Sequence, residues 1–238
     1  MLTPEVRIRP ETAMNVTLVI PALNEAGVIG DVVRRIPAGA VREVIVVDNG
    51  SLDATAAMAA AAGARVVRED HRGYGAACWA GVNAVSTETD VVAFLDGDGS
   101  QHPEELAAVL EPIAAGRADF VLGARRFDGA HPRHAALGTK LVARFISWRH
   151  GTRLTDIAPF RAIRFDLLQR LDMQDRAFGW PVEMVVKAAA RGARIVEVPV
   201  SHAPRQAGRS KVSGTLVGSL RAGYAFVAVA LRASRRAT

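Results

Sequence analysis

Two short apolar runs, 43–47 (EVIVV) and 90–95 (DVVAFL), each stop directly on an aspartate, at Asp48 and Asp96. Apolar runs of this length, rich in β-branched residues, read as strands buried on both faces. A third run at 16–20 is stopped by Pro21, and further ones follow at 65–67, 120–122 and 195–200. Helical patterns lie between them, at 25–36 with Asn24 as a cap, at 53–62 capped by Asp53, and from Gly75 through 85. Further helices are predicted at 103–115, 137–150 and 181–191. Strands alternating with helices imply βαβ units, hence an α/β fold around a mostly parallel sheet. In such sheets ligands bind outside the carboxyl ends of the strands. Asp48 and Asp96 therefore project into one crevice.

Asp96-Gly97-Asp98-Gly99 carries more information than either aspartate alone. Two carboxylates at spacing two, on a glycine-loosened turn after a buried strand, can face one hard divalent cation. Mg²⁺ or Mn²⁺ prefers oxygen ligands and is often shared with substrate phosphates. The loop 205–211 offers Arg205, Arg209 and Lys211 with Ser210 and Gly208, a set suited to an anion.

Three stretches in order carry a family resemblance: Ile20-Pro21-Ala22-Leu23-Asn24-Glu25, then Val46-Val47-Asp48-Asn49-Gly50-Ser51-Leu52-Asp53, then Phe94-Leu95-Asp96-Gly97-Asp98. The chain resembles family 2 glycosyltransferases of the GT-A fold, within them the dolichyl/polyprenyl-phosphate mannose and glucose synthase group. Residues 72–77 (RGYGAA), 123–126 (GARR), 155–162 (TDIAPFRA) and 208–211 (GRSK) extend the likeness over about 15–211.

The resemblance implies a nucleotide-sugar donor, with Pro21, Asn24, Glu25, Asp48, Asp53, Gly75, Asp96, Gly97, Arg205 and Ser210 around it. It implies Asp96 and Asp98 as metal ligands, joined by Gln101. Asp98, Arg125, Lys211 and Glu183 are the implied catalytic set, Glu183 as general base if the acceptor is a hydroxyl. Many relatives carry a second Asp where this chain has Asn49. The implied layout is a leader over 1–14, a GT-A domain over 15–215 and an amphipathic basic helix over 216–238. The domain divides into a nucleotide half (15–125) and an acceptor half (126–215).

Charge narrows the partners. No Asp or Glu follows Glu197, whereas Arg205, Arg209, Lys211, Arg221, Arg232, Arg235 and Arg236 do. A basic end suits phosphate-bearing ligands or an anionic membrane surface, and a peripheral contact through 216–231. Nucleic acid is disfavoured, because it rests on charge alone. A nucleotidyltransferase is disfavoured too, because 20–23 (IPAL) is no glycine-rich basic signature.

The only cysteine, Cys78, reads as inert packing, and Trp148 and Trp180 as core or pocket wall. His202 reads as a loop hydrogen-bonder. The cysteine count, the lack of a signal pattern and the lack of a long apolar run suit a cytoplasmic protein at the inner face of the membrane. The acceptor stays open between a polyprenyl phosphate and a soluble hydroxyl compound, and the chain leaves room for a homodimer.

Overall fold

The computed structural model describes residues 14–126 and 133–205. The expected leader, the basic loop with Ser210 and Lys211, and the expected C-terminal helix lie outside the described residues.

Seven strands form one sheet in the order β3-β2-β1-β4-β6-β5-β7. They are β1 Val16–Ala22, β2 Glu43–Asp48, β3 Arg65–Arg68, β4 Val91–Phe94, β5 Phe120–Arg125, β6 Arg161–Arg164 and β7 Ile195–Val200. All pairings are parallel except those of β6, which runs antiparallel to both β4 and β5. The carboxyl ends of β1, β2, β4, β5 and β7 therefore share one edge.

Helices cover both faces, as a sheet with parallel strands buried on both sides requires. Alternate residues supply the two cores, because successive strand side chains point to opposite faces. Leu18, Ile20, Val46 and Leu95 pack with α1 (Ile29–Arg34), α2 (Thr55–Ala61) and α4 (Leu106–Ala114). Val19, Ile45, Val47 and Phe94 pack with α3 (Tyr74–Asn83), α5 (Arg133–His150), α6 (Phe165–Arg170) and α7 (Trp180–Ala190). α3 lies tightly on β1: a Cβ at Gly81 would sit 2.4 Å from a Val19 methyl.

Several expectations need correction. α1 begins four residues later and ends two residues earlier than predicted, and Asn24 does not cap it. The helix predicted from Pro103 begins as a single 3-10 turn, Pro103–Glu105, before α4. β6 and α6 were not predicted. β6 is four residues long with arginine at both ends, so it shows neither an apolar run nor a clean alternation. Trp180 is in the core as expected, but Trp148 is 79% exposed, neither core nor pocket wall.

Candidate active site

The turn after β4 abuts the end of β1. A Cβ at Gly97 would lie 3.2 Å from the Pro21 carbonyl oxygen, so glycine permits this approach. Asp96 is held from both sides. The Tyr74 hydroxyl donates to its Oδ1 at 3.2 Å, and Gln101 Nε2 donates to its Oδ2 at 3.3 Å. Gln101 Oε1 in turn accepts the Asp96 N–H at 3.2 Å. Both ends of the Gln101 amide thus meet Asp96, so in this arrangement Gln101 orients that carboxylate.

Two residues on, Asp98 Oδ1 accepts from Ser100 N at 2.9 Å and Ser100 Oγ at 2.6 Å. Its Oδ2 lies 3.4 Å from Arg205, whose guanidinium also pairs with Glu25. Arg205 arrives here because 201–203 is laid beside the turn. His202 bridges to Gln101, and Ala203 N donates to Ser100 O at 2.8 Å. Enclosure by protein and the neighbouring Asp98 push Asp96 up to about 7, against the Tyr74 bond, Arg161 and Arg125, which pull it down.

Two oxygen-donating carboxylates at this spacing suit a hard divalent ion. Among the described residues no cluster of three or more His, Cys, Asp or Glu could hold one. The remaining ligands would then be water and substrate oxygens, the habit of Mg²⁺-type sites. The donor set fits such an ion.

The loops after β1 and β2 are stitched together into one wall of the crevice. Asn24, at φ 54°, accepts from Leu52 N at 2.8 Å, and its own N–H donates to Ser51 Oγ at 2.9 Å. Glu25 N donates to Thr55 Oγ1 at 2.8 Å. Asp53 accepts from Ala26 N at 3.2 Å and Thr55 N at 3.0 Å, so its carboxylate braces this wall. Asp48 is buried at the end of β2, with Oδ1 accepting Ser51 N at 2.9 Å.

Asn49 explains its departure from the family pattern. Its amide donates to Glu69 O at 3.1 Å and His71 O at 2.8 Å, and its oxygen accepts Gly73 N at 2.8 Å. It shapes the 69–73 loop leading into α3, and a carboxylate could not supply those two donors.

Three expected contacts are differently engaged. Gly75 does not offer its N–H to a ligand: Gly75 N and Ala76 N both donate, at 2.9 Å, to Ala177 O and Arg176 O. A Cβ at Gly75 would meet Asp175 O at 2.4 Å, so glycine is needed for this loop to cap α3. Arg125 is turned onto Asp156 by two bonds of 2.7 Å, while its charge still acts on Asp96. Glu183 is buried, 2.7 Å from Lys187 Nζ, and accepts Gln174 N at 3.1 Å and Asp175 N at 2.8 Å. A carboxylate so enclosed anchors the 174–175 loop.

Sequence reasoning missed Tyr74, Ser100 and Arg161. Arg161 is fully buried, donating to Pro159 O at 3.2 Å and Pro181 O at 3.1 Å, and its charge acts on Asp96. Its signal was an arginine inside the quoted 155–162 stretch. Cys78 is fully buried, and burial drives its thiol pKa up, which fits inert packing.

With this geometry in place, the comparisons decide the family. The family model for glycosyl transferase family 2 matches residues 17–172. The chain belongs to that family. It is a glycosyltransferase of the GT-A fold. An uncharacterized glycosyltransferase of Mycobacterium bovis is 44% identical over 207 residues, 86% of this chain and 93% of the relative. The undecaprenyl-phosphate mannosyltransferase of Micrococcus luteus is 35% identical over 225 residues, 86% of this chain and 90% of that one. Among solved structures, glucosyl-3-phosphoglycerate synthase of Mycobacterium tuberculosis, in complex with Mn²⁺, UDP-glucose and phosphoglyceric acid, superposes with a TM-score of 0.78 at 26% identity. The match covers 94% of this chain and 80% of that one.

Proposed function

We propose that this glycosyltransferase moves a hexose from a nucleotide-diphosphate sugar to a polyprenyl phosphate, with inversion. The observation that carries the acceptor is the closed cage around Glu183. A hydroxyl acceptor needs a base to take its proton, whereas an ionised phosphate is already a nucleophile. The carboxylate best placed in the sequence to be that base is committed to Lys187 and two backbone N–H groups. The likeness to an undecaprenyl-phosphate mannosyltransferase supports the same reading.

In this reading the wall built by Asn24, Glu25, Asp48 and Asp53 receives the nucleotide. Asp96 and Asp98 would hold Mg²⁺ or Mn²⁺, as the Mn²⁺ complex of the phosphoglycerate enzyme suggests. When bound, that ion would neutralise the departing diphosphate. Tyr74, Gln101 and Ser100 fix the two carboxylates before substrate arrives, so little reorganisation remains for the reacting complex. Arg205, already between Glu25 and Asp98, would turn to the donor phosphates, with Ser210 and Lys211 proposed to follow it.

A second reading has its own support. The phosphoglycerate enzyme uses a soluble acceptor, so a small hydroxyl compound is the alternative. Incubation with Mn²⁺ and radiolabelled GDP-mannose or UDP-glucose, with either polyprenyl phosphate or phosphoglycerate, separates the two. The lipid reading requires label in the organic phase only when polyprenyl phosphate is present. Label confined to an aqueous phosphoglycerate product would replace it.

A further inference from the structure

We infer that the exposed face of α5 is a docking surface for an anionic lipid bilayer, an inference that rests on the lipid-acceptor reading for its purpose but not for its evidence. From Gly129 to Thr155 the chain has no Asp or Glu, while it carries Arg133, Lys140, Arg144, Arg149 and Arg153. The inner face of α5 is ordinary core: Val142, Ala143 and Ile146 are buried, and the helix packs on α7. Its outer face is not ordinary surface. Leu141 is 60% exposed and Trp148 79% exposed, and Phe145 leans on the Trp148 ring at 6.3 Å between centroids.

At 100° per residue, Leu141 and Trp148 lie within about 20° of each other, with Phe145 about 40° to one side of Leu141. Arg144 and Lys140 flank this stripe on the other side, and Arg149 lies beyond Phe145. An apolar stripe edged on both sides by cations, with a tryptophan in it, is the pattern of a helix lying in the plane of a membrane interface. Among the described residues no carboxylate pairs with Arg144, Arg149 or Arg153. Against a second copy of this chain the face would meet its own charge and repel.

The face is also placed for use. α5 belongs to an excursion that leaves the ligand edge of the sheet at the end of β5. The Arg125–Asp156 pair ties the two ends of that excursion together at that edge. The segment that carries α5 is therefore anchored at the edge that an acceptor with a lipid tail must approach.

The test reads one residue, so the basic tail cannot imitate it. The full chain is mixed with vesicles of phosphatidylglycerol and brominated phosphatidylcholine, whose bromines quench tryptophans that enter the acyl region. Quenching is expected in the wild type and in Trp79→Phe, and its loss in Trp148→Phe, whose exposed position leaves folding intact by circular dichroism. Arg144→Gln/Arg149→Gln should weaken partitioning roughly tenfold or more. Salt at about 1 M, where the Debye length is ~3 Å, should do the same.

Quenching that persists in Trp148→Phe overturns the surface, as does equal binding to purely zwitterionic vesicles. So does self-association that depends on Trp148 without any quenching, or with capture of an acidic protein in its place. Quenching at Trp148 with no transfer to polyprenyl phosphate would keep the surface and remove the lipid-acceptor reading. Transfer without quenching would do the reverse.

Discussion

Arg125 and Asp156 form a two-bond ion pair in which the carboxylate is fully buried and the arginine nearly so. Burial alone would raise the Asp156 pKa, but the Arg125 guanidinium and N–H outweigh it and hold it below the usual carboxylate range. Glu197 on β7 fixes the same corner, accepting Thr155 N at 2.8 Å and Asp156 N at 3.0 Å.

Arg125→Ala should therefore behave as a structural lesion. It strands a buried charge, a change that typically costs about 3–5 kcal/mol. Chemical denaturation should show that loss, with a fall in activity explained by unfolding. A variant of wild-type stability but impaired donor turnover would return Arg125 to the donor phosphates.

Glu183→Gln separates anchor from base. The amide keeps shape but weakens the bonds from Gln174 N, Asp175 N and Lys187. A loss of about 1–3 kcal/mol in stability is expected, with an unchanged pH profile in the remaining activity. Loss of an acidic limb and a 10²–10⁴-fold drop in kcat, on the order seen for general bases, would reinstate the hydroxyl-acceptor reading.

Asn49→Asp restores the residue many relatives carry, and it should harm this protein. A carboxylate would face two backbone carbonyl oxygens, at Glu69 and His71. Buried acceptors left without donors cost about 1–3 kcal/mol. The loop leads to Tyr74, so Mn²⁺-dependent donor binding measured by calorimetry should weaken together with thermal stability. Tighter donor binding would mean that this position reaches the nucleotide.

The strands ending at Asp48 and Asp96 were legible because parallel strands buried on both faces leave long apolar runs, and the ligand edge followed from them. What stayed hidden depended on partners distant in sequence. Gly75 looked like a ligand-cradling glycine until the 175–177 carbonyls arrived to take its N–H. Glu183 looked available as a general base because Lys187 and the 174–175 backbone converge on it only in the fold. β6 was invisible because its outer residues are arginines, one of them buried among carbonyl oxygens that no local pattern announces.

Tyr74→Phe removes one hydroxyl and nothing else from the Asp96 environment. One hydrogen bond to a charged group is worth about 1.5–3 kcal/mol, so Mn²⁺ affinity in the presence of nucleotide should fall roughly tenfold. Calorimetric titration reads this directly, without turnover. Unchanged affinity would show that Gln101 alone suffices to orient Asp96.

The last prediction concerns pH. Asp96 has its folded pKa raised to about 7, first by enclosure and then by Asp98. Between the ordinary carboxylate range and about 7, the folded metal-free protein therefore holds a proton that the unfolded chain has released. Stability must then fall as pH rises through that window, the reverse of the usual behaviour of a paired carboxylate. Full enclosure would make this on the order of 4 kcal/mol, and the partial exposure of Asp96 makes it smaller. A divalent ion changes the sign, since it binds the ionised form and must expel the proton. Melting curves from about pH 5 to 8 should therefore drift downward without metal and flatten or rise with Mn²⁺ and nucleotide. Asp96→Asn should abolish both the downward drift and the metal response. A metal-free midpoint that climbs across the window would mean that Asp96 is already ionised, held so by Tyr74, Gln101 and the charge of Arg161.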